Sequence, residues 1–540
     1  MVHNKDFLER IEELNSIGIA LSAEKNHSRL LEKILESAQA LTHADGGTLY
    51  LVENEKTLHF EIVRTISQNI AYGGSKGKPV PYEPIPLYID GYVPDTRTIA
   101  AYSALSGQIV NVADAYHTPG FDFSGTHAFD KATSYRSRSL LSIPMKNQRG
   151  EVVGVLQLIN AIGPDGETTV FSPDDQRLVE SLASQAAVAL TNQQLNNDLR
   201  NLLEKFIEVI ANAIDEKSPY TGGHCRRVPE IAMLMAESVQ NTENGPLADT
   251  FFSEEQLYEL KIAALLHDCG KITTPVHVVD KATKLETIFN RIHLVDTRIE
   301  ILKRDAEIAL LKQQLENSSV DTTHYENFLK ELAEDQAFLR HCNIGTEFMP
   351  ESACQRVAEI GNKYLLQIDG NEHQLLNEEE IYNLSIPKGT LTSEERKIIN
   401  HHITATINML ESLPFPKHLK NVPEIAGGHH ERMDGKGYPK GLHREEMSLQ
   451  ARLMGIADIF EALTAADRPY KKGMPLSQAL TILGKMKEDK HIDPDLFETF
   501  ISQGVYIKYA EKYLKPEQID EIDLDNIPGY NNRKSALPVD

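Results

Sequence analysis

His267 and Asp268 stand side by side where the apolar run EEQLYELKIAALLHDCGKI (254–272) turns polar. Such a pair at the end of a buried helix can give two ligands to one cation, and the second carboxylate oxygen can bridge to another. Lys271 follows, in place to face a phosphate. A lone His-Asp pair recurs by chance in many proteins, but this one has company. SPYTGGHCRRV supplies His224 after a turn, TSEERKIINHHITA supplies His401 and His402 on a helix, and IAGGHHERMDGKGYPKGL supplies His429 and His430 before a glycine-rich loop. GIADIFEALTAADRPYKK adds Asp458, with Arg468, Lys471 and Lys472 just beyond. A carboxylate among Ile456, Ala457, Ile459 and Phe460 is costly to bury unless it is paired or bound to a metal. The set is sufficient for two octahedral cations sharing a bridge, with positions left for water and substrate. Such a pair of cations supplies an activated water for attack on a phosphodiester, while Lys271 can stabilise charge near the leaving oxygen. The loop DGKGYPKG has three glycines and a proline in eight residues, so that Gly437, Tyr438 and Pro439 can approach a ligand closely. Tyr438 can stack on a base or donate to a phosphate, and Arg468 and Lys471 can grip a second phosphate.

These residues must be positioned by helices. Residues 215–535 read as almost entirely helical, with loops at the glycine and proline clusters. Between about 285 and 390 the pattern changes. Ile292, Val295, Ile299 and Leu302 have helical spacing, Leu311, Leu315, Phe328 and Leu332 continue it towards a helical hairpin, and Asp369-Gly370 can turn a small β-hairpin. This segment reads as an insertion without chemistry of its own. Upstream, from Pro173 to about Ile214, neither proline nor glycine occurs, and Leu195, Leu199, Leu202, Phe206 and Val209 follow the 4-3-4-3 spacing of a coiled-coil seam. One long helix is expected there, paired with a second copy in a parallel dimer.

Residues 28–195 read differently. A helix near 28–42 precedes TLYLVE (48–53) and LHFEIVRT (58–65), which alternate as strands do, and SLLSIPMKN (139–147) and VVGVLQLIN (152–160) form a hairpin around a short turn. The order and wording of SRSLLSIPM, GEVVGVLQLIN and FSPDDQRLVESLASQAAVAL resemble a GAF domain. Of the dispersed Asn-Lys-Phe-Asp-Glu signature of cyclic-nucleotide-binding GAF domains, Asn160, Phe171 and Asp174 match, whereas Ala161 and Asp175 replace the lysine and the glutamate. A sensory or dimerising module is the reading favoured over a small-ligand pocket, which stays open.

The helical half resembles the HD-GYP branch of the HD phosphohydrolases in SPYTGGH (218–224), LLHDCGKI (265–272), LTSEERKIINHH (391–402), HHERMDGKGYPKGL (429–442), ADIFEALT (457–464) and DRPYK (467–471). The resemblance implies an α+β GAF-like domain at 15–195 and an all-α HD-type domain at 196–535, joined by the long helix and interrupted by the insertion at about 285–390. It implies metal ligands at His224, His267, Asp268, His402, His429, His430 and Asp458, with Asp268 bridging, Lys271 beside the reacting phosphate, and His401 a neighbour. Two divalent cations, iron or manganese, are implied; they are favoured over three because Tyr220 stands where some members carry a carboxylate and Asp215 and Glu216 lie further back, and a third stays open. The implied substrate is a cyclic dinucleotide, cyclic di-GMP first and mixed cyclic GMP-AMP second, cleaved to pGpG or GMP. The competing reading is a catalytically silent receptor, disfavoured because no ligand position is lost. Met433, Glu461 and an extra alanine in ALTAADRPY depart from the family pattern without removing a ligand.

Composition agrees with this class. A net charge of −24 would repel a polyphosphate backbone and makes a nucleic-acid polymer a poor substrate. The N-terminus is charged, no window offers about 18 uninterrupted apolar residues, and four dispersed cysteines fit reduced thiols. A cytoplasmic enzyme without membrane attachment is expected.

Overall fold

The computed structural model describes residues 2–75, 77–217, 223–316, 320–345, 348–466 and 473–530. Backbone contacts divide the chain into two units, Met1–Leu202 and Leu203–Asp540, each with its own core.

In the first unit, alternating apolar residues build an antiparallel sheet. Its main strands lie in the order Ile70–Gly73, Thr57–Thr65, Ala44–Glu53, Val152–Ile162, Leu140–Lys146 and Val110–Val112. Successive side chains of a strand point to opposite faces, so the alternation divides the apolar residues between two cores. Leu49, Ile143 and Leu156 pack with Leu30 and Ile34 of helix His27–Thr42 and with Leu178 and Leu182. On the other face Tyr50, Leu58 and Val155 meet Ala100 and Ala101 of helix Ile99–Ser106. All four strands read from the sequence are present, and the hairpin turns where Asn147 N donates to Glu151 O. The intervening stretch, in which no single period dominates, carries helices Ile99–Ser106 and Ser124–Thr133.

One helix, Pro173–Lys217, runs from the first unit into the second. Ile207, Ala211 and Ile214 on one side of it are buried in the second core, whereas the seam residues Leu195, Leu199, Leu202, Phe206 and Val209 are 57–66% exposed. The helix therefore does not spend its seam on packing within its own chain.

The second unit is helical. His224–Gln240, Glu254–Leu266, Ser393–Glu411, Val422–Gly427 and Leu449–Thr464 surround Val228, Ile231, Leu260, Ile425, Met454 and Phe460. Ser253 and Thr392 form reciprocal caps with Gln256 and Glu395, which fix where two of these helices begin. The segment between Leu285 and Leu384 has a separate core, built from Val295, Ile299, Leu332, Val357 and Ile360. Its small hairpin pairs Leu365–Ile368 with Asn371–Gln374 around Asp369 and Gly370, both at positive φ, as a two-residue turn of that hand requires. The expected helical hairpin is formed by Ile292–Glu316 and Thr323–Asn343; within it Leu311 and Leu315 are 50% and 88% exposed, because the buried stripe of the first helix ends at Leu302 and the turns beyond extend past the core.

Candidate metal centre

The site begins with a glycine. Helix Glu254–Leu266 ends at His267, and a tight 3₁₀ turn, Cys269–Thr273, follows Asp268. A Cβ on Gly270 would lie 2.0 Å from the His402 carbonyl oxygen and 2.6 Å from Thr406 N, so only glycine lets this turn press against helix Ser393–Glu411. Gly270 N donates to Thr406 Oγ1 at 2.9 Å. The contact brings His267-Asp268 and His402 together although the last two are 134 positions apart.

Around that contact the expected side chains converge. Asp268 Oδ2 lies 3.3 Å from both His224 Nε2 and His267 Nε2, while its Oδ1 lies 3.3 Å from His402 Nε2. Asp458 Oδ1 is 3.3 Å from His224 Nε2 and 3.7 Å from His267 Nε2. Three overlapping groups result: His224, His267 and Asp458; His267, Asp268 and His429; and His402, His429 and His430. The two oxygens of Asp268 thus face different histidines. Among the described residues, no candidate cluster draws on the segment 285–390.

The imidazoles are oriented from behind. Nδ1 of His267, His402 and His429 faces the carbonyl oxygen three residues earlier, on Ala264, Ile399 and Ala426 respectively. Donation to those carbonyls leaves the Nε2 lone pairs aimed into the cluster. Asp268 Oδ1, His402 Nε2 and His429 Nε2 are buried without a hydrogen-bond partner. Orphaned acceptors of this kind are destabilising unless something electropositive meets them, and divalent cations fit the donor set.

Charge follows burial and neighbours. Burial drives the His429 imidazole well below its usual range and His430 down to about 4, whereas Glu461, Asp268 and Asp458 raise His224 well above that range against burial, and Asp268 and Asp458 raise His267 to about 9, so that cation binding there would release protons. Burial pushes the Asp268 carboxyl up, but Lys271, His267 and His224 hold it well below the carboxylate range. Asp458 is likewise held down against burial by His224 and His267. Lys271 Nζ sits 2.5 Å from Asp268 Oδ2.

Beside the cluster, the glycine-rich loop folds over a buried carboxylate. Glu431 accepts from Lys440 N at 2.7 Å and Leu442 N at 3.0 Å. A Cβ on Gly437 would lie 2.4 Å from Arg432 N and from Glu431 Cα. The Tyr438 ring stacks on His430 with centroids 4.8 Å apart, and Pro439 is exposed. His401 faces outward. Arg468 and Lys471, expected to contact substrate, lie outside the described residues, as does Tyr220.

Two functional carboxylates escaped the sequence reading. Glu461, noted there only as a replacement for aspartate, faces His224 Nδ1 at 2.5 Å and accepts from Arg227 Nε at 2.6 Å. Its place three residues after Asp458, on the same helix face, is the signal that could have found it. Glu431, directly after the paired histidines, is the other.

In the first unit a cavity of about 440 Å³ lies between the sheet and helices Ile99–Ser106 and Ser124–Thr133, lined by Tyr50, Phe60, Tyr82, Phe123, Phe129 and Gln157 among others. Asn160, from the partial signature, is buried and accepts from Arg138 N at 2.7 Å, a bond that holds the preceding segment.

Comparison with known proteins places these features in families. Residues 26–190 match the GAF domain, and residues 221–333 and 379–496 match two descriptions of the HD domain. A segment of 112 residues is 42% identical to the 3'3'-cGAMP-specific phosphodiesterase 3 of Vibrio cholerae, covering 20% of this chain and 23% of that protein. Another of 119 residues is 36% identical to a cyclic di-GMP phosphodiesterase of Pseudomonas aeruginosa, covering 22% of this chain and 28% of the relative. A longer match, 243 residues at 27% identity, covers 41% of this chain and 64% of a cyclic di-GMP phosphodiesterase of Thermotoga maritima. The chain thus spans about a quarter to two thirds of the length of these relatives. No described helix is long and apolar enough to cross a membrane.

Proposed function

We propose that this chain, which carries a GAF domain and an HD domain, is a metal-dependent phosphodiesterase that hydrolyses a cyclic dinucleotide. The observation that carries the reading is the convergence of buried, partnerless lone pairs of Asp268, His402 and His429 with the remaining imidazoles and Asp458. His224, His267, Asp268, His402, His429, His430 and Asp458 would hold two divalent cations, iron or manganese, and each oxygen of Asp268 faces different histidines of that set. Bound there, the cations supply an activated water and neutralise the phosphate oxygens.

The other roles belong to side chains of this chain. Lys271, already turned to Asp268, stabilises negative charge near the leaving oxygen. Glu461 fixes the His224 ring, and Glu431 shapes the loop that offers Gly437, Tyr438 and Pro439 to the ligand. Arg468 and Lys471 are assigned to the second phosphate. Cyclic di-GMP is the first candidate substrate, cleaved to pGpG or GMP. Mixed cyclic GMP-AMP is the second, because a relative bearing that specificity is 42% identical over its matched segment. The GAF domain regulates the site, with a small ligand in its cavity as one input, and the chain works in the cytoplasm as a homodimer paired along the exposed seam.

The test supplies purified full-length protein and ferrous or manganous ion with cyclic di-GMP and, separately, mixed cyclic GMP-AMP, and follows products by chromatography. Linear or mononucleotide product is expected from wild type and none from Asp268→Ala, with Lys271→Ala slowed but still metal-loaded. Full activity in Asp268→Ala would sink the assignment of the site, and metal-loaded wild type without product would favour the receptor.

A further inference from the structure

The last turn of the helix Pro173–Lys217 touches both halves of the metal centre from behind. Asp215 is 8% exposed; its Oδ2 accepts from Gly223 N at 3.0 Å and its Oδ1 from Cys225 N at 3.4 Å. Those two amides flank His224 at the start of its helix, where the first N–H groups have no partner within the helix. Two residues further on, Lys217 Nζ donates to the carbonyl oxygens of Lys271 at 2.9 Å, of Ile272, and of Thr274 at 2.7 Å. They belong to the end of the turn that carries Asp268 and Lys271, and such terminal carbonyls otherwise depend on solvent. Asp215, Lys217, His224, Asp268 and Lys271 together line one small recess.

From this arrangement we infer that Asp215 and Lys217 are positioning residues, through which the end of the long helix sets the geometry of the metal centre. The inference rests on the reading of that centre as a hydrolase site. Asp215 holds the segment bearing His224, and Lys217 holds the segment bearing Lys271. Because both anchors sit on one rigid helix, a displacement along or about its axis moves both segments at once. Shifts of about 1–2 Å are typical of helix-borne allosteric transitions. A shift of that size lengthens a 2.7–3.0 Å hydrogen bond beyond use, and misplacement by about 1 Å can cost a hundredfold in rate. The seam of the same helix lies exposed upstream, and between seam and anchors Ile207, Ala211 and Ile214 pack into the core of the second unit, so a displacement of the helix also engages that core.

The experiment uses full-length protein and two readouts, turnover of cyclic di-GMP and hydrogen exchange of backbone amides with and without manganous ion. Lys217→Met keeps the aliphatic stem and removes the three donated bonds. It should lower kcat about ten- to a hundredfold with KM little changed, the range seen when groups behind metal ligands are lost, and speed exchange over residues 269–276. Lys217→Arg, which can reach the same carbonyls, should restore most of both. Asp215→Ala should speed exchange over 223–227, and Lys205→Met, on the same helix but paired only with Glu208 among the contacts seen, should change neither. Should Lys217→Met fail to fold, Lys217→Gln takes its place with an intermediate response expected. Unchanged exchange over 269–276 in the Lys217 variant overturns the inference, whatever its activity. An altered exchange pattern in a protein whose wild type has no turnover would overturn the hydrolase reading and leave the link standing.

Discussion

At the level of single residues, what matters is which buried groups present their lone pairs to one another. Histidines and aspartates placed in apolar helical runs announce a cost that a cation would offset, and His224, His267, Asp268, His402, His429, His430 and Asp458 do converge. What orients them was not legible, since His224 and Glu461 are 237 positions apart and only the fold makes them neighbours. Glu461 is the sharper test of this level. Glu461→Gln keeps the side chain's shape but weakens the hold on His224 and on Arg227, and should reduce metal affinity about ten- to a hundredfold. Competition with a chromophoric chelator measures this. An affinity equal to wild type would mean that Glu461 serves the fold alone.

Elements were legible where one period dominated. The strands at 48–53 and 152–160, the long helix from Pro173 and the hairpin at Asp369-Gly370 all stand where alternation, absence of breakers and turn chemistry put them. The stretch between the first and second strand pairs was not, because short helices and two-residue strands leave too little repetition to read. Nor does local pattern reveal that one turn must press against a distant helix. Gly270 makes that contact possible, and Gly270→Ala should push the His267-Asp268 turn away from helix Ser393–Glu411, given the 2.0 Å approach its Cβ would make to a backbone oxygen. The expected result is a protein that retains its first unit, binds little metal and melts several degrees lower, at about 1–3 kcal/mol of strain. Metal content by elemental analysis and a thermal melt decide it, and normal values for both would show that the two elements can separate without harm.

For the molecule as a whole, the change from strands to helices is marked in the sequence, and the segment between Leu285 and Leu384 packs on a core of its own. That segment's buried stripe could not be bounded, since apolar spacing continues to Leu315 after burial has stopped at Leu302. Exposed apolar residues at coiled-coil spacing are destabilising to leave in water, which is the physical ground for the proposed pairing with a second copy. Replacing Leu199 and Leu202 together by lysine should convert a dimer to a monomer in sedimentation at micromolar concentration while leaving metal content unchanged. Dimers that persist would place the contact elsewhere.

The central claim is that the clustered imidazoles and carboxylates act by holding cations. Titrating metal-free protein with manganous ion while following cyclic di-GMP turnover tests it most directly. The stripped protein should show no turnover, activity should rise with bound metal to saturate at about two equivalents per chain, the complement of a two-metal site, and His267→Ala/Asp268→Ala should show neither uptake nor activity. Turnover that survives stripping, or that the double variant retains, would contradict it.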